Sequence, residues 1–296
     1  MPNGSKIWVA ITTAGFSCTL LDLGSLNADA ALVKKGANQW SPNVAPQIHE
    51  RRESVMISLL VFHPEVGLFL FDTGSCEEII SSWDKHTIEC TPRRWVKEKH
   101  GLPAAIRKTG NDINDVKAVI LSHLHMDHAG GLEHFINTGT TISILSLAVR
   151  LVANSEPKIP KFGATNPSIK ALSGSVGRLR KIPFLRGLKW RTFSQDIFEI
   201  FRGVTLHRCP GHTEGLCVIE FRLPSDETFI YTSDLFHVKE NYEDGHPQGN
   251  LITDENSWLR SRFYVQHLVQ RTSAMVLLGH DTDYFSRFTR SPGWIS

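Results

Sequence analysis

The chain has 296 residues, of which 41% are hydrophobic and 21% charged, enough to bury a sizeable core and too apolar for a disordered protein. Its formal net charge is +2 before fourteen histidines are counted, too balanced to argue for a nucleic-acid or membrane partner. Five widely spaced cysteines (Cys18, Cys76, Cys90, Cys209, Cys217) form no C-x-x-C pair and read as reduced thiols, so a cytoplasmic protein is expected. The apolar stretch Ile7 to Ile11 is too short for a secretory signal, and no run of about eighteen apolar residues predicts a membrane helix.

In chain order, Lys6 to Thr12 and Phe16 to Leu23 read as strands, and Ala28 to Lys35 as a short helix inside a polar stretch with Pro42 and Pro46. Ser54 to Phe62, a five-residue loop and Leu68 to Phe71 form a hairpin pattern that runs into Asp72-Thr73-Gly74. Helices are expected at Glu77 to Asp84, Pro92 to His100 and Leu102 to Thr109, the last closed by Gly110. An apolar strand from Val116 to Leu121 ends in Ser122-His-Leu-His-Met-Asp-His-Ala-Gly-Gly131. Gly131 to Phe135 opens a helix, Thr141 to Leu145 is a strand, and Leu147 to Asn154 a helix.

Residues 155–200 have another texture: four prolines and four glycines break any long element, and Arg178 to Arg191 holds six basic residues and no acidic one. This stretch is expected to be an insertion that forms a solvated face or a pocket wall, with Phe184 and Trp190 as candidate substrate contacts. Strands resume at Val204 to Arg208, Leu216 to Leu223, Thr228 to Tyr231 and Ala274 to Leu278, with an amphipathic helix from Asn256 to Thr272. The whole chain, 1–296, is read as one domain.

Three histidines and an aspartate within six residues at a buried strand's end ask for a metal, because neutral imidazoles and carboxylates are what zinc and similar ions bind. Three later strands also stop at ligand-type residues in turn-like loops: His212, Asp234 and His280. With His123, His125, Asp127 and His128 they make seven candidate ligands. Asp72 and Asp281 are candidates for orienting the ligand imidazoles through their other N–H.

Ser122-His-Leu-His-Met-Asp-His-Ala-Gly-Gly131, with Asp72-Thr-Gly74, the His212 loop, Asp234 and His280 in that order, resembles the metallo-β-lactamase superfamily. The resemblance spans roughly residues 54–281 and implies an α/β fold, an αββα sandwich of two mixed β-sheets flanked by helices. Pro-Gly-His-Thr at 210–213, the spacing from His212 to Asp234 and Gly-His-Asp at 279–281 are most similar to the N-acyl homoserine lactonase branch. A second likeness is to fungal lactamases that open benzoxazolinone-type rings.

The resemblance implies two zinc ions, one on His123, His125 and His212 and one on Asp127, His128 and His280, with Asp234 bridging. Asp127 would also shuttle a proton. Lactonases of this branch carry a tyrosine three residues after the bridging aspartate; here that position is His237, expected to assist the substrate carbonyl. The expected activity is hydrolysis of a small cyclic ester or amide, in signal degradation or xenobiotic detoxification. The expected partner is a small-molecule substrate, with no nucleic acid or membrane, and the chain is a monomer or homodimer. Rival readings are a glyoxalase II-like thioester hydrolase, a nucleic-acid phosphodiesterase and a non-catalytic binding module.

Overall fold

The computed structural model describes residues 11–13, 16–39, 48–146, 187–223 and 227–290. Two β-sheets pack face to face. The first contains β1 (Ile11–Thr13), β2 (Phe16–Asp29), β3 (Arg51–His63), β4 (Gly67–Phe71), β5 (Arg93–Arg94), β6 (Val116–Ile120), β7 (Thr141–Leu145) and β8 (Lys189–Phe193). Its order is β1-β2-β3-β4-β6-β7-β8, with β5 paired to β2. The second holds β9 (Ile197–Phe201), β10 (Val204–Arg208), β11 (Cys217–Arg222), β12 (Thr228–Tyr231) and β13 (Met275–Leu277), in the order β13-β12-β11-β10-β9. Both sheets are mixed: β4, β6, β7 and β8 run parallel, as do β12 and β13, and the other pairs are antiparallel.

Side-chain alternation along the central strands builds two apolar layers. Leu59, Val61, Phe69 and Phe71 face the second sheet and meet Leu206, Ile219, Phe221 and Tyr231 in one core. Leu60, Leu68 and Leu70 face the other way, onto Trp83, Leu102, Ile106 and Phe135. On the far side of the second sheet lies helix Glu255–Thr272, which buries Trp258, Val265 and Leu268. Its first turn is capped by Asp254, whose carboxylate accepts from the Ser257 N–H. The expected αββα sandwich is therefore found.

The hairpin, the strand into the His cluster and the long helix form where expected. Elsewhere the structure differs. Of the expected helix 92–100, only Lys97–His100 is helical, and Arg93–Arg94 pairs instead with Leu26 and Ser25. The Arg93 guanidinium explains this: it donates to the carbonyls of Cys76 and Glu77 and to Ser75 Oγ, and lies 4.3 Å from the Trp95 ring centroid. Within the stretch 155–200, residues 189–193 and 197–200 belong to the sandwich, as β8 and the start of β9. Each is the last strand of its sheet in the described chain and is half exposed, and β8, Lys-Trp-Arg-Thr-Phe, lacks the apolar run of a central strand. Residues 155–186 of that stretch, and the expected helix 147–154, lie outside the described residues.

The topology sets up the site. β4 and β6 are parallel neighbours, and β12 and β13 are too. β10 and β12 are both antiparallel to β11, so they also run parallel to each other. The carboxyl ends of all five strands lead into the loops that carry Asp72, His123, His212, Asp234 and His280.

Candidate metal centre

Two close backbone approaches shape these loops. After β6, helix Met126–Ala129 is drawn onto the turn that follows β4, where Thr73 N–H and Thr73 Oγ1 both donate to the His128 carbonyl. A Cβ on Gly130 would stand 2.2 Å from the Cys76 nitrogen, so only glycine allows the contact. After β13, Gly279 passes so near the Asp234 loop that a Cβ there would meet the Ser233 carbonyl oxygen at 2.5 Å. Two polar residues of these loops take left-handed backbone angles, Asp72 with φ of 63° and Ser233 with φ of 44°. Such conformations persist only where the surroundings hold them, as at functional sites.

Asp72 is held by what its carboxylate accepts: the Ser122 N–H at 2.7 Å, the Ser122 hydroxyl at 2.7 Å and His128 Nδ1 at 2.9 Å. Ser122 Oγ in turn lies 2.9 Å from His123 Nδ1 and accepts from Ser233 Oγ at 2.9 Å. With its hydroxyl proton committed to Asp72, Ser122 Oγ accepts a hydrogen bond from the His123 Nδ1–H. His280 donates from Nδ1 to the Val55 carbonyl at 2.7 Å. Each of these three histidines thus carries a proton on Nδ1 and turns its Nε2 inward.

The inward atoms sort around one carboxylate. Asp234 Oδ2 lies 3.2 Å from His212 Nε2 and 3.6 Å from His123 Nε2. His212 Nε2 is 3.3 Å from His123 Nε2 and 2.9 Å from His125 Nδ1. Asp234 Oδ1 lies 3.1 Å from His128 Nε2 and 3.0 Å from His280 Nε2. Asp127 Oδ2 stands 3.8 Å from each of those two nitrogens. Metal–ligand bonds of about 2.0–2.1 Å put tetrahedral neighbours about 3.3 Å apart, within the 2.9–3.8 Å range of these separations.

A second observation agrees. His128 Nε2 and Asp234 Oδ1 are buried and near each other, yet neither makes a hydrogen bond. The donor set fits a divalent metal ion on either side of Asp234, in the groups His123–His125–His212–Asp234 and Asp127–His128–His280.

Burial and mutual charge divide the protonation states. Burial lowers His123 well below the usual imidazole range and takes His125 down to about 3. Burial also opposes charge on His128 and His280, but Asp234 and Asp127 outweigh it and raise both. Burial alone would raise Asp234; His128, His280, His237 and His212 hold it well below the carboxylate range instead. The side of the site nearer Asp127 therefore holds protons that a metal must displace.

His237 is set beside this centre by backbone pairing, since the His280 N–H donates to the His237 carbonyl at 3.0 Å. The two rings stack with centroids 5.4 Å apart. His237 Nε2 lies 3.2 Å from Asp234 Oδ2, and neither of its ring nitrogens has a hydrogen-bond partner. Burial lowers it to about 4, so the ring is neutral. A pocket opens onto these groups, lined by His125, Asp127, Asp234, His237 and His280 on one side and an aliphatic wall on the other.

The other expected site residues fall elsewhere. Asp281 does not reach a ligand imidazole; it accepts from Asp283 N–H and Tyr284 N–H and caps helix Thr282–Arg290. Trp190 sits on β8, half buried against the helix-facing core, and is not among the residues that line the pocket. Phe184 lies outside the described residues. Ser122 and Ser233 were not foreseen, although each immediately precedes a ligand. Nothing in the sequence marks the Val55 carbonyl.

Residues 53–282 match the metallo-beta-lactamase superfamily. The chain belongs to that superfamily. Among its relatives in the superfamily, the N-acyl homoserine lactonase AttM of Azorhizobium caulinodans is 28% identical over 242 residues, 79% of this chain and 85% of AttM. The N-acyl homoserine lactonase AiiB of Agrobacterium fabrum is 24% identical over 280 residues, 92% of this chain and 96% of AiiB. A Bacillus thuringiensis AiiA variant with N-decanoyl-L-homoserine at its active site shares the fold with a TM-score of 0.70 and 20% identity, covering 93% of this chain and 97% of that one. No helix among the described residues is long and apolar enough to cross a membrane.

Proposed function

We propose that this chain is a metal-dependent hydrolase that opens a small cyclic ester or amide, a lactone or γ-lactam, at a centre of two divalent ions, zinc by preference. The observation that carries this reading is the division of donors around Asp234, one oxygen toward each group. The relatives named N-acyl homoserine lactonases support the cyclic ester. His123, His125 and His212 would hold one ion and Asp127, His128 and His280 the other, with Asp234 between them. Divalent ions so held supply Lewis acidity and make a water acidic near neutral pH.

The chain's own residues do the rest. Asp72, Ser122 and the Val55 carbonyl keep the Nδ1 protons of His128, His123 and His280 in place, so the opposite nitrogens stay available. The neutral His237 ring has one N–H to donate to the acyl oxygen as negative charge gathers there. Water oxygen adds to the ring carbonyl carbon while Asp127 takes a proton. The ring C–O or C–N bond then breaks, and Asp127 returns the proton to the departing heteroatom. A departing amide nitrogen depends on that proton more than a departing alkoxide does. Such ring opening would suit the degradation of a signal or the detoxification of a xenobiotic.

The test is steady-state assay of zinc-loaded protein against acylated and simple γ-lactones, γ-lactams and cyclic carbamates, with metal content measured alongside. Turnover of at least one class is expected, abolished by chelation and restored by added zinc. Absence of metal-dependent turnover of every class would overturn the reading.

A further inference from the structure

Backbone pairing fixes His237 in place. Two successive bonds fasten its segment to the loop after β13, from the Gly279 N–H to the Phe236 carbonyl at 2.9 Å and from the His280 N–H to the His237 carbonyl at 3.0 Å. Just before it, the carbonyls of Asp234 and Leu235 accept from the Gln248 side-chain amide. The His237 ring is 1% exposed. It stacks on His280 with 16° between the planes and meets His212 edge-on, with centroids 5.0 Å apart.

Buried imidazoles find hydrogen-bond partners as a rule, and this chain supplies them away from the centre. His207 has Tyr264 and Glu220 on its two nitrogens, each at 2.7 Å. His63 Nε2 donates to the Arg202 carbonyl at 2.9 Å, and its Nδ1 accepts from the Glu65 N–H at 3.2 Å. Both rings belong to residues 3% exposed. His237 is more enclosed than either, yet neither of its nitrogens makes a hydrogen bond. Its Nε2 stands 3.2 Å from Asp234 Oδ2, the separation at which the candidate ligand His212 stands from the same oxygen. The donor atoms of Asp234, His237 and His280 lie within 4.8 Å of one another, as those of the other two donor groups do.

We propose that His237 is a further metal ligand, its Nε2 joining Asp234 and His280 on the ion of the His128 side. The centre then carries six imidazoles, those of His123, His125, His128, His212, His237 and His280, where a tyrosine at 237 would leave five. With Nε2 on the ion, the proton of the ring sits on Nδ1 and is the N–H left for the acyl oxygen. An added imidazole suits zinc, copper, iron or nickel, whereas magnesium and manganese prefer oxygen donors. His237 thus also sharpens which ion that side accepts. This rests on the reading of the site as a two-ion centre.

Coordination can be read without turnover. Wild type, His237→Phe and His237→Gln are loaded with cobalt(II), whose paramagnetism shifts the N–H signals of bound imidazoles out of the ordinary proton NMR range. Zinc and manganese affinities are measured alongside by competitive chelation. One shifted imidazole N–H signal is expected to vanish in both variants. Zinc affinity at one binding step should fall by about tenfold or more, at least the effect of losing an outer partner of a ligand, and manganese affinity should fall less. The glutamine can still hydrogen-bond Asp234 but brings no imidazole, so it should not restore zinc binding. The metal-free melting temperature of His237→Phe should equal or exceed that of the wild type, because an unpaired buried imidazole is removed. An unchanged set of shifted signals, zinc binding restored by glutamine, or equal losses for zinc and manganese would overturn the proposal. Lower metal-free melting temperatures in both variants would assign His237 to the fold instead. Failure of the wild type to bind either metal would overturn this proposal and the functional reading together. Six bound imidazoles without turnover of any cyclic substrate would overturn the functional reading alone.

Discussion

Asp72 touches no metal position, yet it is tied to both donor groups. Its carboxylate accepts from His128 directly and reaches His123 through the Ser122 hydroxyl. Both ring tautomers therefore depend on a residue one shell out, and such partners typically account for about ten- to a hundredfold in metal affinity. Asp72→Asn should weaken metal binding by about that factor, more at the Asp127–His128–His280 group than at the other, because only His128 loses its direct partner. Competitive chelator titration with metal analysis checks this; unchanged affinity at both positions would remove Asp72 from the centre. The left-handed backbone of Asp72 argues that the position is held by this network, since a turn alone would favour glycine.

At the scale of strands and helices, legibility followed burial. Central strands such as Leu68 to Phe71 and Val116 to Ile120 are apolar without a break or nearly so, and a His or Asp where the run stops could be read as a ligand before any fold was known. β8 could not be read that way: Lys-Trp-Arg-Thr-Phe is the last strand of its sheet in the described chain, and half of it faces solvent. The two residues of β5 are held by a single arginine that finds its partners far away in sequence. Asp281 looked like a ligand's partner but caps its own helix with one carboxylate oxygen and accepts from the Lys239 N–H with the other.

One buried pair on the second sheet also belongs to this scale. His207 Nε2 on β10 lies 2.7 Å from Glu220 Oε2 on β11, and Tyr264 of the long helix reaches His207 Nδ1 at 2.7 Å. Burial would raise the Glu220 carboxyl, but hydrogen bonds from His207 and Arg222 lower it below its ordinary value. A carboxyl lowered on folding stabilises the fold above its unfolded value, about 4.3, and that stability is lost as pH falls through the folded value. Glu220→Ala should cost about 3 kcal/mol at pH 7 by stranding its partners and should flatten the decline in stability below about pH 4.3. Denaturant unfolding from pH 3 to 7 tests both; a parallel acid limb in wild type and variant would contradict the second.

For the whole molecule, the sandwich collects the ends of five strands from two sheets at one edge, so the donors converge only when both sheets are in register. Metal that binds the folded chain alone adds RT ln(1 + [L]/Kd), about 2.7 kcal/mol at a hundredfold excess over Kd. Zinc should therefore raise the melting temperature and chelation lower it. The gain should fall as pH drops, because His128 and His280 hold protons that metal must displace. A melting temperature indifferent to zinc across pH 5.5 to 8 would count against a built metal centre.

The two-sided placement of Asp234 has a thermodynamic consequence. One carboxylate cannot adjust its two oxygens independently, so filling either side fixes the orientation that the other side meets. If each side takes an ion, occupancy on the His123 side and on the His128 side would be linked, and by reciprocity each would change the affinity of the other by the same factor. Such a centre would titrate as one object rather than as two neighbours.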